Sequence, residues 1–215
     1  MMDTKTHYIF DFDGTVSDSQ WFWRRLIPQV LLERGIPLTE EDFDACKFLS
    51  ADDRWQYLKE KFALTEDQIP TFEEKMACLE RYYRTDNRFK PGALEYLKFL
   101  KAQGKVLALF SATRGESLRI GAENLGVDGI FDYIFSAREI GIGKGDPESY
   151  RYCLREMGTE PEHCVMVEDS LYSIKTAKSL GITVYAVSES CFEPMKDEIV
   201  ALSDKYCHDL TELMD

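Results

Sequence analysis

The sequence predicts an α/β protein, a parallel sheet with helices on both faces, interrupted once by an all-helical insertion. Three observations lead there. Short apolar runs alternate with amphipathic stretches from residue 89 onward, the pattern of successive βαβ units. One further apolar run stands alone near the start. Between residues 17 and 88 the periodicity is helical throughout and no strand-like run interrupts it.

The first run, Tyr8-Ile9-Phe10, predicts a short buried strand. It stops at Asp11-Phe12-Asp13-Gly14-Thr15, and in extended backbone Asp11 and Asp13 begin on the same face. Gly14 lets the chain turn where a Cβ would obstruct it. Two carboxylates so close repel each other unless a cation such as Mg²⁺, or a shared proton, lies between them. An isolated D-x-D-G is equally an Asx-type turn, so the decision falls to the rest of the chain.

Ser17-Asp18-Ser19 is suited to cap a helix carrying Phe22, Leu26, Ile27, Val30 and Leu31, kinked at Pro28 and closed by Gly35. Three cap signatures follow, pairing Thr39 with Asp42, Ser50 with Asp53 and Thr65 with Gln68. The last is expected to open a helix through Ile69, Phe72, Met76 and Leu79. Trp21, Trp23, Phe48, Arg54 and Trp55 are candidates to face a ligand from this region. Aromatics at helical spacing are more often core, so none is counted in the site.

At Lys90-Pro91-Gly92 the pattern changes. Pro91 suits the first turn of a helix through Leu94, Leu97 and Leu100 that ends at Gly104. Strands are then expected at 106–110, 130–135, 164–167 and 183–187, with a short last one at 205–207. Helices are expected at 115–125, 147–157, 171–180 and near 194–202. The layout is Rossmann-like, with residues 1–16 and 89–215 as the α/β core and 17–88 as the helical insertion.

Composition bounds the function. A 215-residue chain that is 44% hydrophobic and 30% charged suits one soluble globular core plus an insertion. Its net charge of −13 argues against nucleic acid and anionic membranes as partners. A monomer or weak homodimer is expected. The six cysteines show no C-x-x-C pair, which suits reduced, mostly buried thiols in a cytoplasm. No apolar run is long enough to span a bilayer, and the first residues carry no apolar leader.

In a parallel sheet, ligands bind beyond the carboxyl ends of the strands. The polar residues expected there are Asp11 and Asp13, Ser111-Ala112-Thr113, Lys144 in Gly141–Pro147, and Glu168-Asp169-Ser170. Singly, a hydroxyl or lysine at such a position is more often a cap or a solvated charge. Together these groups fit phosphoryl transfer from a small phosphorylated metabolite. Asp11 and Asp169 are natural side-chain ligands for Mg²⁺, with Asp13 offering a backbone carbonyl and Glu168 acting through water. Asp11 is also placed to attack phosphorus, and Asp13 to move protons to and from the leaving group. Lys144, Ser111 and nearby N–H groups would hold the phosphate oxygens.

With those motifs on the page, the chain resembles the haloacid dehalogenase superfamily. The likeness is to its helically capped branch of phosphoglycolate phosphatases and β-phosphoglucomutases. The likeness rests on Asp11-Phe12-Asp13-Gly14-Thr15, Ser111 after an apolar strand, Lys144 ahead of Asp146-Pro147, and Val167-Glu168-Asp169-Ser170, in the family's order. It implies Asp11 as nucleophile, Asp13 as acid and base, Ser111, Ala112 and Lys144 on the phosphate, and Mg²⁺ on Asp11, Asp13 and Asp169. Two departures stand out: Gly145-Asp146 follows Lys144 where many relatives have Pro-x, and Ala112 replaces a frequent Asn.

The founding dehalogenases lack the second aspartate, which halide release does not need, so Asp13 favours a phosphoester. The mutases carry a histidine and an arginine in the cap, where this chain has Trp23 and Ala51. Hydrolysis is therefore preferred over a sugar-phosphate mutase. A non-hydrolytic phosphoacceptor or binding module is the reading from another class, but it would need neither the insertion nor Asp13.

Overall fold

A computed structural model describes residues 5–46, 49 and 51–214. Phe48 and Ser50, named above, lie outside the described residues. The chain divides into two compact units, one of residues up to Asp18 together with those from Asn87 onward, the other Ser19–Asp86.

Among its described residues the larger unit holds six parallel strands: β1 (His7–Phe10), β2 (Val106–Ser111), β3 (Tyr133–Ser136), β4 (Cys164–Glu168), β5 (Thr183–Val187) and β6 (Lys205–Cys207). Their order across the sheet is β3-β2-β1-β4-β5-β6, with every neighbouring pair parallel. β1 is central. The chain builds outward from it on one side, then crosses back to build on the other, and such a reversal opens a crevice at the strand tips.

Successive strand residues point to opposite faces, so each face has its own core. On one, Ile9, Phe110, Met166 and Val184 pack with Tyr150 and Leu154 of α8 (Pro147–Met157) and Ile174 of α9 (Leu171–Ser179). On the other, the rings of Tyr8 and Phe10 meet Tyr96 edge-on, 6.5 and 6.0 Å between centroids, from α5 (Ala93–Ala102). Five of the six cysteines are buried and all six are free thiols. No helix among the described residues is long and apolar enough to cross a membrane.

The Ser19–Asp86 unit is helical: α1 (Gln20–Glu33), α2 (Glu40–Cys46), α3 (Ala51–Phe62) and α4 (Phe72–Thr85). Ile27, Leu31, Phe43, Trp55 and Leu58 form its core. Phe22 stacks on Tyr82 with 4.1 Å between ring centroids, joining α1 to α4. Pro28 lies inside α1, which continues through it to Glu33.

Several expectations need correction. Ser19 is the N-cap of α1, but its side chain makes no capping hydrogen bond. Thr65 opens only a 3-10 turn, Glu66–Gln68, because Pro70 has no N–H and forces the residue before it out of helix. The long helix starts at a second capping box, in which Thr71 and Glu74 each satisfy the other's backbone N–H. Pro91 lies outside α5, whose N-cap is Gly92 in the left-handed region. A Cβ at Gly92 would collide with the Asp209 carboxylate and lie 2.6 Å from the Thr211 amide nitrogen. β3 begins three residues later than expected. Its approach is a turn, and Asp132 spends its carboxylate on the Leu107 N–H, 2.8 Å away. A short helix that the periodicity missed, α7 (Ala137–Ile140), follows β3.

Of the side chains considered as ligand-facing, Trp55 is core. Arg54 is buried, donating to the carbonyls of Cys46 and Leu49. Trp21 is exposed and meets Phe22 and Tyr82 edge-on.

Two short segments carry the chain between the α/β core and the insertion. They run side by side, with Asp18 N–H donating to Arg88 O and Lys90 N–H to Val16 O, both 2.9 Å. Lys90 is itself buried and paired with Glu189, Nζ to Oε2 2.5 Å.

Candidate active site

β1 delivers Asp11 and Asp13. Asp11 N–H still belongs to the sheet, donating to Val167 O at 2.9 Å, so its position is fixed by the ladder rather than by a loop. The backbone then turns sharply. Gly14, at φ +96°, donates to Ser17 O, while Val16 and Ser17 both donate to Phe12 O. That φ is costly for any residue with a Cβ. Asp11 and Asp13 are 6% and 7% exposed, so their charges sit largely out of water.

Lys144 comes from the segment between α7 and α8, and both ends of that segment are capped. Gly141 closes α7 in the left-handed conformation. Asp146 caps α8 by accepting from the Glu148 N–H at 2.9 Å, with Pro147 in the first turn. The sequence departure at Gly145-Asp146 thus leaves a loop held by its own cap. The ammonium of Lys144 lies 2.6 Å from Asp11 Oδ1, 2.6 Å from Glu168 Oε2 and 5.4 Å from the centre of the Phe110 ring.

Glu168 closes β4 and is bonded on both oxygens. Oε2 accepts from Lys144, and Oε1 from the N–H of Asp169, the N–H of Ser170 and the Ser170 hydroxyl, at 2.8 to 3.2 Å. Carboxylate oxygens of Asp11, Glu168 and Asp169 lie within 4.8 Å of one another, all three residues buried.

The electrostatics follow from that crowding. Burial, then the Glu168 charge, pushes the Asp11 carboxyl up to about 8 against the pull of Lys144. Burial and the charges of Glu168 and Asp11 push Asp169 well above the usual carboxylate range. Burial also opposes ionisation of Glu168, yet Lys144 and its three hydrogen bonds to the Asp169–Ser170 turn hold it below that range. Burial opposes the charge on Lys144, and the two carboxylates more than offset it. One lysine cannot neutralise three acids. A donor set of three hard oxygens with excess negative charge fits a divalent cation such as Mg²⁺ better than a soft metal.

Asp13 stands apart from that group of three. Its Oδ2 accepts from the Thr113 hydroxyl at 2.9 Å. Ser111, at the tip of β2, accepts from the Thr113 N–H through its Oγ at 3.0 Å, while Ala112 beside it is exposed. The structure therefore sets Lys144 against both Asp11 and Glu168, gathers the carboxylates of Asp11, Glu168 and Asp169 within 4.8 Å, and ties Asp13 to Ser111 through Thr113. Sequence reasoning named Thr113 only as a neighbour of Ser111. The clue was a second hydroxyl at the same strand tip. Lys90 and Glu189 it missed entirely.

The phosphorylated carbohydrates phosphatase of Thermotoga maritima is 27% identical over 184 residues, covering 85% of each chain. Hexitol phosphatase B of Escherichia coli is 25% identical over 209 residues, covering 95% of this chain and 92% of that protein. The structure of CbbY from Rhodobacter sphaeroides in complex with phosphate matches with a TM-score of 0.75 over 97% of this chain and 96% of that one. At 21% identity, that likeness speaks for the fold alone. The family model for haloacid dehalogenase-like hydrolases matches residues 8–187, from the first strand to the end of the fifth, and the chain belongs to that family.

Proposed function

We propose that the chain hydrolyses a small phosphorylated carbohydrate or polyol through an aspartyl-phosphate on Asp11. The chain is a phosphoric monoester hydrolase by family. The step beyond that rests on one observation, the buried Lys144 held 2.6 Å from both Asp11 and Glu168. A carboxylate attacking a phosphate dianion meets charge repulsion, and a fixed ammonium beside it offsets that repulsion where water cannot screen it.

Asp11 forms a bond to phosphorus as the bond to the leaving alkoxide breaks. Asp13 gives that alkoxide its proton. Water then attacks the phosphorus of the acyl phosphate, Asp13 takes a proton from it, and the Asp11 carboxylate is restored as phosphate leaves. Ser111 accepts from the Thr113 N–H and keeps its own hydroxyl proton for a phosphate oxygen. Ala112, an exposed residue beside Ser111, would offer a further backbone N–H. Mg²⁺, held by Asp11 and Asp169 with the Asp13 carbonyl and Glu168 nearby, would supply positive charge for the equatorial oxygens. Residues 17–88 are assigned as a cap domain that selects the leaving group.

The substrate class is suggested by the relatives named for phosphorylated carbohydrates and hexitol phosphates. The test is a screen of sugar and polyol phosphates for phosphate release with and without Mg²⁺, alongside Asp11→Asn. Metal-dependent release that the Asn variant loses is expected, because an amide is a poor nucleophile. Conversion to an isomer without release would favour a mutase instead. Release undiminished in Asp11→Asn would remove Asp11 as nucleophile.

A further inference from the structure

We propose that Thr113 is a positioning residue for Asp13, its hydroxyl holding the carboxylate in the orientation from which it exchanges a proton with the leaving group. This rests on the reading of Asp13 as acid and base. The Thr113 hydroxyl has one proton, and it is committed to Asp13 Oδ2 at 2.9 Å. A carboxylate held by a hydroxyl at that distance is fixed in orientation about its own side chain, so the proton it gives and takes is delivered along a set direction.

What makes Thr113 more than an incidental contact is how firmly it is held. Its N–H donates to Ser111 Oγ at 3.0 Å and its carbonyl accepts from the Ser136 hydroxyl at 2.7 Å. Ser111 and Ser136 face each other in the β2–β3 register, and Ser136 caps α7 by accepting from the Glu139 N–H. Thr113 and Ser136 are 4% and 2% exposed. The tips of β2 and β3 thus fix both backbone groups of one residue, and its side chain reaches across to the tip of β1. Proton transfer demands placement to within a hydrogen-bond length of the reacting oxygen. Asp13 immediately precedes Gly14 in the glycine-dependent turn and is not one of the three clustered carboxylates, and this hydroxyl ties it to the tips of β2 and β3.

The consequence is selective. Departure of a poor leaving group needs the proton from Asp13, and departure of an activated aryl oxide does not. A misplaced Asp13 should therefore slow phenyl phosphate far more than p-nitrophenyl phosphate. A merely structural defect would slow both alike.

The experiment compares kcat and KM for those two esters in the wild type, Thr113→Val, Thr113→Ser, Asp13→Asn and the Thr113→Val/Asp13→Asn double variant. General acid catalysis contributes about 100-fold or more, so loss of its alignment in Thr113→Val is expected to cost about 10- to 30-fold in kcat on phenyl phosphate. The cost on p-nitrophenyl phosphate should stay under about 3-fold, with KM little changed, and Thr113→Ser should recover both to within about 3-fold. The double variant should be no slower than Asp13→Asn alone. Should Thr113→Val fail to give folded protein by circular dichroism, Thr113→Ala is read in the same way. Selective slowing in Asp13→Asn but equal slowing, or none, in the Thr113 variant overturns the positioning role alone. Absence of selectivity in Asp13→Asn itself overturns the acid and base reading on which it stands.

Discussion

The Nζ of Lys144 lies 2.6 Å from Oδ1 of Asp11, although 133 residues separate them in the chain. Both are buried, and the same ammonium contacts Glu168. Lys144→Met should therefore act on two levels. Removing a fixed charge from a water-poor site is expected to lower phosphate release by about 100-fold or more. Breaking a buried ion pair by deleting one partner should also destabilise the fold by about 3 kcal/mol. Phosphate release and urea unfolding measure the two separately, and an active Lys144→Met enzyme would contradict the assignment.

Cation binding should depend on pH in a defined direction. A protonated carboxyl is not a metal ligand, and crowding pushes Asp11 up to about 8 and Asp169 upward as well. Mg²⁺ must displace those protons, so its apparent affinity is expected to rise as pH climbs towards about 8. Calorimetric titration across that range should show proton release on binding. Thermal unfolding should shift upward with Mg²⁺ and fall back with chelator. Affinity that is flat with pH would place the metal elsewhere.

Asp42, in the helical unit, offers a test away from the site. Its Oδ2 accepts from the Thr39 N–H and hydroxyl, at 2.8 and 2.9 Å, and Oδ1 pairs with Lys61 at 2.5 Å. Burial opposes its ionisation, but the hydrogen bonds from Lys61 and Thr39 win and hold it at about 2, below the usual 3.8. Its contribution is thus present above pH 3.8 and lost as pH falls through about 2. Lys61 is 41% exposed, so water screens that pair, and the cap is the larger part. Asp42→Ala is expected to cost about 1 kcal/mol at neutral pH, with the gap to wild type closing in acid. Unfolding curves at both pH values would show it, and a gap that persists in acid would refute it.

Gly92→Ala should destabilise the α/β unit without touching the chemistry. The added methyl would meet the Asp209 carboxylate and the Thr211 amide, and φ is +73°. The left-handed conformation alone costs about 1 kcal/mol, and the steric clash adds to it. A drop in melting temperature with kcat preserved at low temperature is expected. An unchanged melting temperature would mean that the C-terminal turn carries no load.

Much of this is legible in the sequence alone. Parallel strands follow from apolar runs separated by helix-length segments, and the motif residues are legible because each sits where such a run stops. Asp11, Ser111 and Glu168 needed only that rule. What escaped shares a different character. Thr113 carries no motif and matters only through a partner 100 residues away. Lys90 and Glu189, 99 residues apart, form a pair that no periodicity can announce. The misplaced helix start at Thr65 came from two capping boxes in tandem, between which only Pro70 arbitrates. Local rules find elements and strand tips, while side-chain partners across the sheet are set by register.

Asp18 with Arg88, and Val16 with Lys90, hold the exit and return of the chain side by side. Neighbouring ends of this kind make the intervening length nearly indifferent to the sheet, since closing a longer or shorter excursion between pinned ends costs little entropy. Such an excursion can be lengthened, shortened or rewritten while the strands on either side of it keep their register.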